Sequence, residues 1–276
     1  MSGKPAGNDS FRIRIGAVTY LNARPLTFSL RHLAPQAQWI VDLPSRLADS
    51  LAAGRLDVAL IPSIEALSNP TYSIVSDACV ACDGPVRSVK LYGRVPPQRI
   101  RTLALDEGSR TSAAMTRILL KERFGLEPEL RGHPIGASLE DSTADATMLI
   151  GDRGLLPADG AFEFVWDLGE EWLRWTGLPS VLAMWAARPG IDLRGVDGLL
   201  SAARDEGVSR LAEIAQLEAP HLGIPEAECL SYLRDSLCFQ LRRRQRRGLE
   251  LFCELAGRHG LVPAGVELAF YNEQTA

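Results

Sequence analysis

The densest run of side chains able to grip a ligand is Leu105-Asp-Glu-Gly-Ser-Arg-Thr-Ser-Ala-Ala-Met115. An apolar segment stops at Gly108, and Ser109, Thr111 and Ser112 lead into residues with helical spacing. Hydroxyls and free backbone N–H groups at a helix N-terminus suit a carboxylate or phosphate, because the orphan donors and the helix dipole both favour negative charge. A plain N-cap needs one hydroxyl. Three hydroxyls and Arg110 within four residues exceed that need, so the segment reads as an anion-binding turn.

Other candidates sit where strands end. Asn22 follows the first strand in Thr19-Tyr-Leu-Asn-Ala-Arg-Pro25. An amide donates and accepts at once, and ligand contacts in β/α units fall at this point. Asn22 would equally serve as a cap for the helix that begins near Pro25. Ser63 stands just past Asp57–Pro62, and Ser88 lies in Gly84-Pro-Val-Arg-Ser-Val-Lys90. Arg87 and Lys90 beside Ser88 either favour an anion or simply face solvent. Gly151-Asp152 closes the segment Ala146–Ile150. Asp152 is the carboxylate at a strand end placed to act as a base; as an N-cap for Arg153–Leu156 it would do no chemistry.

Several chemistries are excluded. The four histidines have no metal-ligand spacing, so no metal is expected, and no cofactor motif of the G-x-G-x-x-G, Walker A or G-x-S-x-G type occurs. Cys79 and Cys82 form a C-x-x-C without a second pair, inside a strand-like segment, and read as small apolar fillers of a reducing compartment. The run Arg242–Arg247 lacks interleaved aromatics, and the chain carries a net charge of −4 with a pI near 5.7, so a solvated helix face is expected rather than nucleic-acid contact. Met1–Ser10 is polar and unsuited to a signal peptide, and no apolar run approaches about 18 residues. A cytoplasmic protein without a membrane span is the expectation; the oligomeric state is not readable.

The elements that must position these residues alternate. Arg12–Leu21, Trp39–Leu43 and Asp57–Pro62 read as strands, with helices opening at Pro25 and Pro44, and β-α-β-α-β order implies a parallel sheet with crossover helices. Tyr72–Cys82 and Val86–Tyr92 add strands before Pro96-Pro97. A second unit holds strand Thr102–Leu105, helix Ser109–Phe124 and strands Ala146–Ile150 and Pro179–Ala187. Everything after Pro189 reads as helix, with Leu230, Leu233, Leu237 and Leu241 as an apolar stripe. The fold class is therefore α/β with two β/α lobes, two crossings and a helical C-terminal tail. Lobe one would comprise residues 11–93 plus 188–276, and lobe two residues 94–187, with a small anion bound between them.

The motifs also resemble a known family. Tyr20-Leu-Asn-Ala-Arg-Pro-Leu26, Asp57-Val-Ala-Leu-Ile-Pro-Ser63, Gly84-Pro-Val-Arg-Ser-Val89, Asp106-Glu-Gly-Ser-Arg-Thr-Ser112, Ile150-Gly-Asp152 and Asp167-Leu-Gly-Glu-Glu-Trp-Leu-Arg-Trp-Thr-Gly-Leu-Pro179 follow one another as in the chorismate dehydratases of the futalosine route to menaquinone. The resemblance runs from residue 12 to about residue 260. It implies a type II periplasmic-binding-protein fold used as a cytoplasmic, cofactor-free enzyme. That enzyme would eliminate water from chorismate to give 3-[(1-carboxyvinyl)oxy]benzoate. Asn22 and Ser88 would be the active-site polar residues, and the Ser109–Ser112 turn would hold a substrate carboxylate. Ser63, Arg110, Gly151 and Asp152 would complete the binding surface. The base would be Asp152 or the substrate's own enolpyruvyl carboxylate. A non-catalytic binder of the same fold and the paralogous 1,4-dihydroxy-6-naphthoate synthase are the alternatives. The missing motif histidine and the Asp167–Pro179 segment favour the dehydratase.

Overall fold

The computed structural model describes residues 12–156, 160–193, 195–266 and 268–271. The N-terminal segment on which the compartment expectation rests lies outside them. Eleven strands form two mixed sheets among the described residues. They are β1 (Arg14–Val18), β2 (Gln38–Asp42), β3 (Val58–Pro62), β4 (Ser73–Cys82), β5 (Val89–Gly93), β6 (Thr102–Asp106), β7 (Glu129–His133), β8 (Ala146–Ile150), β9 (Phe164–Asp167), β10 (Ser180–Ala187) and β11 (Cys238–Gln240). The first sheet has the order β11-β4-β10-β3-β1-β2, and the second β7-β6-β8-β5-β9.

The parallel expectation holds in one half of each sheet. Strand β1 runs parallel to β2 and β3, and β6 runs parallel to β7 and β8. Strands β3 and β8 are buried along their whole length, as their unbroken apolar runs require of strands covered on both faces. The crossing strands are antiparallel. Strand β5 lies between β8 and β9, and β10 lies between β3 and β4.

This pairing corrects the expected boundaries at residues 93/94 and 187/188. Val89–Gly93 belongs with the second sheet and Ser180–Ala187 with the first, so the chain changes sheet at residues 83–88 and again at 177–179. An apolar strand segment says that it is buried but not which sheet receives it, and both strands were grouped with their sequence neighbours. Asp167 ties the first crossing to the helix that leads into the second. Its carboxylate caps helix Leu168–Thr176 by accepting from the Gly169 and Glu170 N–H groups at 3.0 and 3.1 Å. It also accepts from the N–H groups of Val86 (2.9 Å) and Arg87. Arg87 has φ +62°, the left-handed region that a residue bearing a Cβ rarely enters.

The tail is not all helix. Val196–Ser209 and Leu211–Leu222 are separate helices broken at Arg210. Helix Glu226–Ser231 widens into a π turn over Tyr232–Ser236, and the chain then adds β11 to the edge of the first sheet. Leu233, Leu237 and Leu241 are buried, but the last two flank a strand; spacing of four imitates a helix when a helix end and a strand share one core. Helix Arg243–Arg258 turns the basic run mainly to solvent, although Arg244 reaches Asp83 in one crossing and the Gly177 carbonyl (2.8 Å) in the other. Edge strand β7, mostly exposed and short of apolar residues, was not foreseen, nor was the four-residue edge strand β9.

One hydrophobic core spans both sheets. Cys79 and Cys82 are fully buried in β4, all five cysteines are free, and burial pushes the Cys82 thiol up to about 12. Among the described residues no helix is long and apolar enough to cross a membrane.

Candidate active site

A pocket opens between the two sheets. On one side Tyr20 and Asn22 follow β1, Pro44 opens a helix, and Leu60, Pro62 and Leu182 come from β3 and β10. On the other side stand Val89 of β5, Gly108 to Ser112 after β6, and Ile150-Gly151 at the end of β8. The turns after β1, β3, β6 and β8 are carboxyl ends of parallel strands, where short turns leave room for a ligand, and antiparallel β5 and β10 complete the wall. None of the lining residues is Asp, Glu, His, Lys, Arg or Cys.

The turn after β6 is built by Asp106. Its buried carboxylate accepts from the Gly108 N–H at 2.9 Å, the Ile150 N–H at 3.2 Å and Arg153 at 2.6 Å, fixing the turn against β8. Helix Thr111–Phe124 then starts with its N-terminus at the pocket. Ser109 accepts from the Ser112 N–H at 3.3 Å, so it acts as a cap while its own proton remains available. Ser112 is 4% exposed and lines the pocket.

Thr111 lines the pocket too, but its hydroxyl donates to the Leu182 carbonyl at 2.9 Å and accepts from the Ile64 N–H at 3.3 Å. Arg110 points elsewhere, pairing with Asp49 at 2.7 Å and Glu65 at 3.3 Å on two helices of the first-sheet side. The expectation that Arg110 meets the ligand is not what this geometry supports. Two acidic side chains in reach claim the guanidinium, and the neighbouring sequence gives no sign of them.

Asn22 is half-buried in the 3-10 turn Leu21–Ala23. It does not cap helix Arg24–Thr27, which has no side-chain cap. Tyr20 is the lining residue that motif reading missed. Its ring lies against Gly151, where a Cβ would come within 2.8 Å of it. At Gly108 a Cβ would come within 2.9 Å of its hydroxyl. Burial, followed by the negative charge of Asp106, raises the phenol to about 12, so it stays protonated.

Three predicted residues stand one position behind the wall. Ser63 is fully buried next to Pro62, with no partner for its hydroxyl among the described residues. Ser88 is fully buried next to Val89 and accepts from the Tyr232 hydroxyl at 2.7 Å. Tyr232, whose phenol is raised by burial, comes from the tail some 144 residues away, a contact no local motif reveals. Asp152 follows Gly151. The cap reading of Asp152 is corrected: it is the first residue of helix Asp152–Leu155, which has no side-chain cap, and its carboxylate accepts from the Leu21 N–H at 2.9 Å. Burial raises its pKa, partly offset by the Leu21 hydrogen bond.

Two mixed α/β sheets facing one pocket define the periplasmic-binding-protein-like class of fold. The periplasmic aliphatic sulphonate binding protein SsuA of Escherichia coli superposes with a TM-score of 0.62 at 16% identity, covering 92% of this chain and 89% of that one. A crystallised protein of Archaeoglobus fulgidus gives a TM-score of 0.74 at 17% identity, over 92% of this chain and all of that one. Sequence comparison carries the assignment further. Residues 13–258 match the family described as menaquinone biosynthesis, and the chain belongs to that family. It is 31% identical over 261 residues to the chorismate dehydratase of Thermus thermophilus, covering 88% of this chain and 94% of the relative.

Proposed function

We propose that the chain is a chorismate dehydratase, a hydro-lyase acting in menaquinone biosynthesis in the cytoplasm. Chorismate loses the proton on ring C3 and the hydroxyl on C4, releasing water and leaving an aromatic ring in 3-[(1-carboxyvinyl)oxy]benzoate. Elimination changes no net oxidation state, so the reaction asks for no redox partner. Aromatisation drives it, and the protein's work is to orient the substrate and stabilise the departing hydroxyl.

The observation that carries the reading is the pocket wall, which offers hydrogen-bond donors and apolar surface but no free ionised side chain. A dianion is held there by neutral dipoles: the first N–H groups of helix Thr111–Phe124 and the hydroxyls of Ser109 and Ser112. Asn22 faces the same space and is placed to donate to the C4 hydroxyl or to orient the enolpyruvyl group. Ser88 supports the wall at Val89, and its proton is free to point forward because Tyr232 supplies the hydrogen bond behind it. With no base on the wall, the enolpyruvyl carboxylate of the substrate takes the C3 proton. Residues 83–88 and 177–179 act as the hinge between two lobes.

Incubation of the purified protein with chorismate in the presence of a chelator, followed by mass spectrometry, tests the proposal. The benzoate product is expected. Chorismate that is bound yet recovered intact would overturn the enzymatic reading in favour of a binding protein.

A further inference from the structure

Tyr20 spans the pocket. It follows β1 on the first-sheet side, yet its ring and hydroxyl lie against Gly151 and Gly108 on the second-sheet side. Gly151 has φ +66°, so its backbone alone favours glycine. Gly108 shows no such φ; what it lacks is a side chain in the space taken by the Tyr20 hydroxyl. Gly108 immediately precedes Ser109, so the phenol oxygen sits at the turn that opens helix Thr111–Phe124. Among the described residues that hydroxyl has no hydrogen-bond partner. A half-buried phenol beside a helix N-terminus, with its donor free and a pocket before it, is arranged for a ligand.

We propose that Tyr20 is a substrate-binding residue, donating its hydroxyl to the same carboxylate that Ser109, Ser112 and the helix N-terminus hold from the opposite sheet. The inference deepens the dehydratase reading and rests on it. The phenol is suited to the task because it remains neutral and protonated throughout the physiological range. An arginine in its place would leave a buried cation unpaired whenever the pocket emptied. Because the donor comes from one sheet and the rest of the cradle from the other, carboxylate binding favours the arrangement in which the sheets face each other closely. Phenylalanine at position 20 would keep the ring packing and remove only the donor.

The test is Tyr20→Phe, titrated calorimetrically with 3-[(1-carboxyvinyl)oxy]benzoate and assayed with chorismate. A lost hydrogen bond to a charged oxygen should weaken product binding and raise KM by about 10- to 150-fold, with little change in Tm. Gly108→Ala, whose new methyl displaces the hydroxyl, should weaken binding in the same direction. Tyr20→Phe that binds product and turns over chorismate within about twofold of the parent overturns the inference alone. A parent protein that neither binds the product nor converts chorismate overturns the dehydratase reading and this inference together.

Discussion

Thr111→Val should cost stability rather than ligand affinity. Thr111 is 2% exposed, and its hydroxyl is committed twice, as donor to the Leu182 carbonyl and as acceptor from the Ile64 N–H. Valine preserves the shape and removes both bonds. A buried partner left unsatisfied costs about 1–3 kcal/mol, and the longer Ile64 contact belongs at the low end, so the sum is about 2–4 kcal/mol. For large domains each kcal/mol moves Tm by about 2–4 °C, which predicts a fall of about 4–16 °C. Product affinity measured by calorimetry should stay within about threefold of the parent. Ser112→Ala should do the reverse, lowering affinity about 10- to 150-fold with a small change in Tm. Thr111→Ser, which keeps the hydroxyl, should recover most of the lost stability. Thr111→Val with an unchanged Tm and a tenfold or greater loss of affinity (about 1.4 kcal/mol) would refute the argument.

Two further predictions concern buried groups that titrate. Burial raises the Asp152 pKa above its unfolded value, so the stability this group contributes is fully present below the ordinary carboxylate range and is lost as pH rises through the raised pKa. Asp152→Asn should therefore be more stable than the parent in neutral-pH denaturation, and the gain should fade as pH falls into the carboxylate range; a deficit at neutral pH contradicts this. Its turnover should fall less than tenfold, against the roughly 10²–10⁴-fold expected for loss of a general base. Cys79 and Cys82 are buried with raised thiol pKa values. Ellman titration should leave both unreacted in the native protein and find all five thiols after denaturation; a disulfide recovered without oxidant defeats the reading.

The sequence is legible where burial dictates pattern. Strands β3, β8 and β10 announce themselves through unbroken apolar runs, and helix Thr111–Phe124 through its turn and spacing. Partnership is a different matter. Nothing in Val89–Gly93 or Ser180–Ala187 states which sheet receives the strand, and the contacts that fix the crossings come from residues remote in sequence: Asp167 holds Val86 and Arg87, and Arg244 reaches Asp83 and Gly177. Edge strand β7 has four exposed residues out of five and so lacks the apolar signal on which strand reading depends. The tail misled for the opposite reason: Leu237 and Leu241 are as buried as helix residues should be, but the core they enter is reached through β11.

At the site, residue type located the turn but could not say which hydroxyls face the pocket. Ser109, Ser112, Thr111, Asn22 and Gly151 reach it; Arg110 is drawn off by Asp49 and Glu65, which lie 61 and 45 positions earlier in the chain. Tyr20 carries no local sign of its place, and only the glycines opposite it reveal the space it fills. The base question turns on the same distinction between residue type and environment. Asp152 has the right chemistry, but its carboxylate is turned to the Leu21 N–H, and its pKa is raised chiefly by burial, with the negative charge of Glu218 adding a smaller push. Beside a dianion an ionised Asp152 would repel the substrate it is meant to deprotonate. A wall of neutral donors has no such conflict, and on the proposed dehydratase reading the base is the substrate's own carboxylate. On that reading the protein supplies geometry and dipoles and the substrate supplies the base. That division of labour requires what the pocket lining has among the described residues: hydroxyls, an amide and apolar surface, without an ionised side chain.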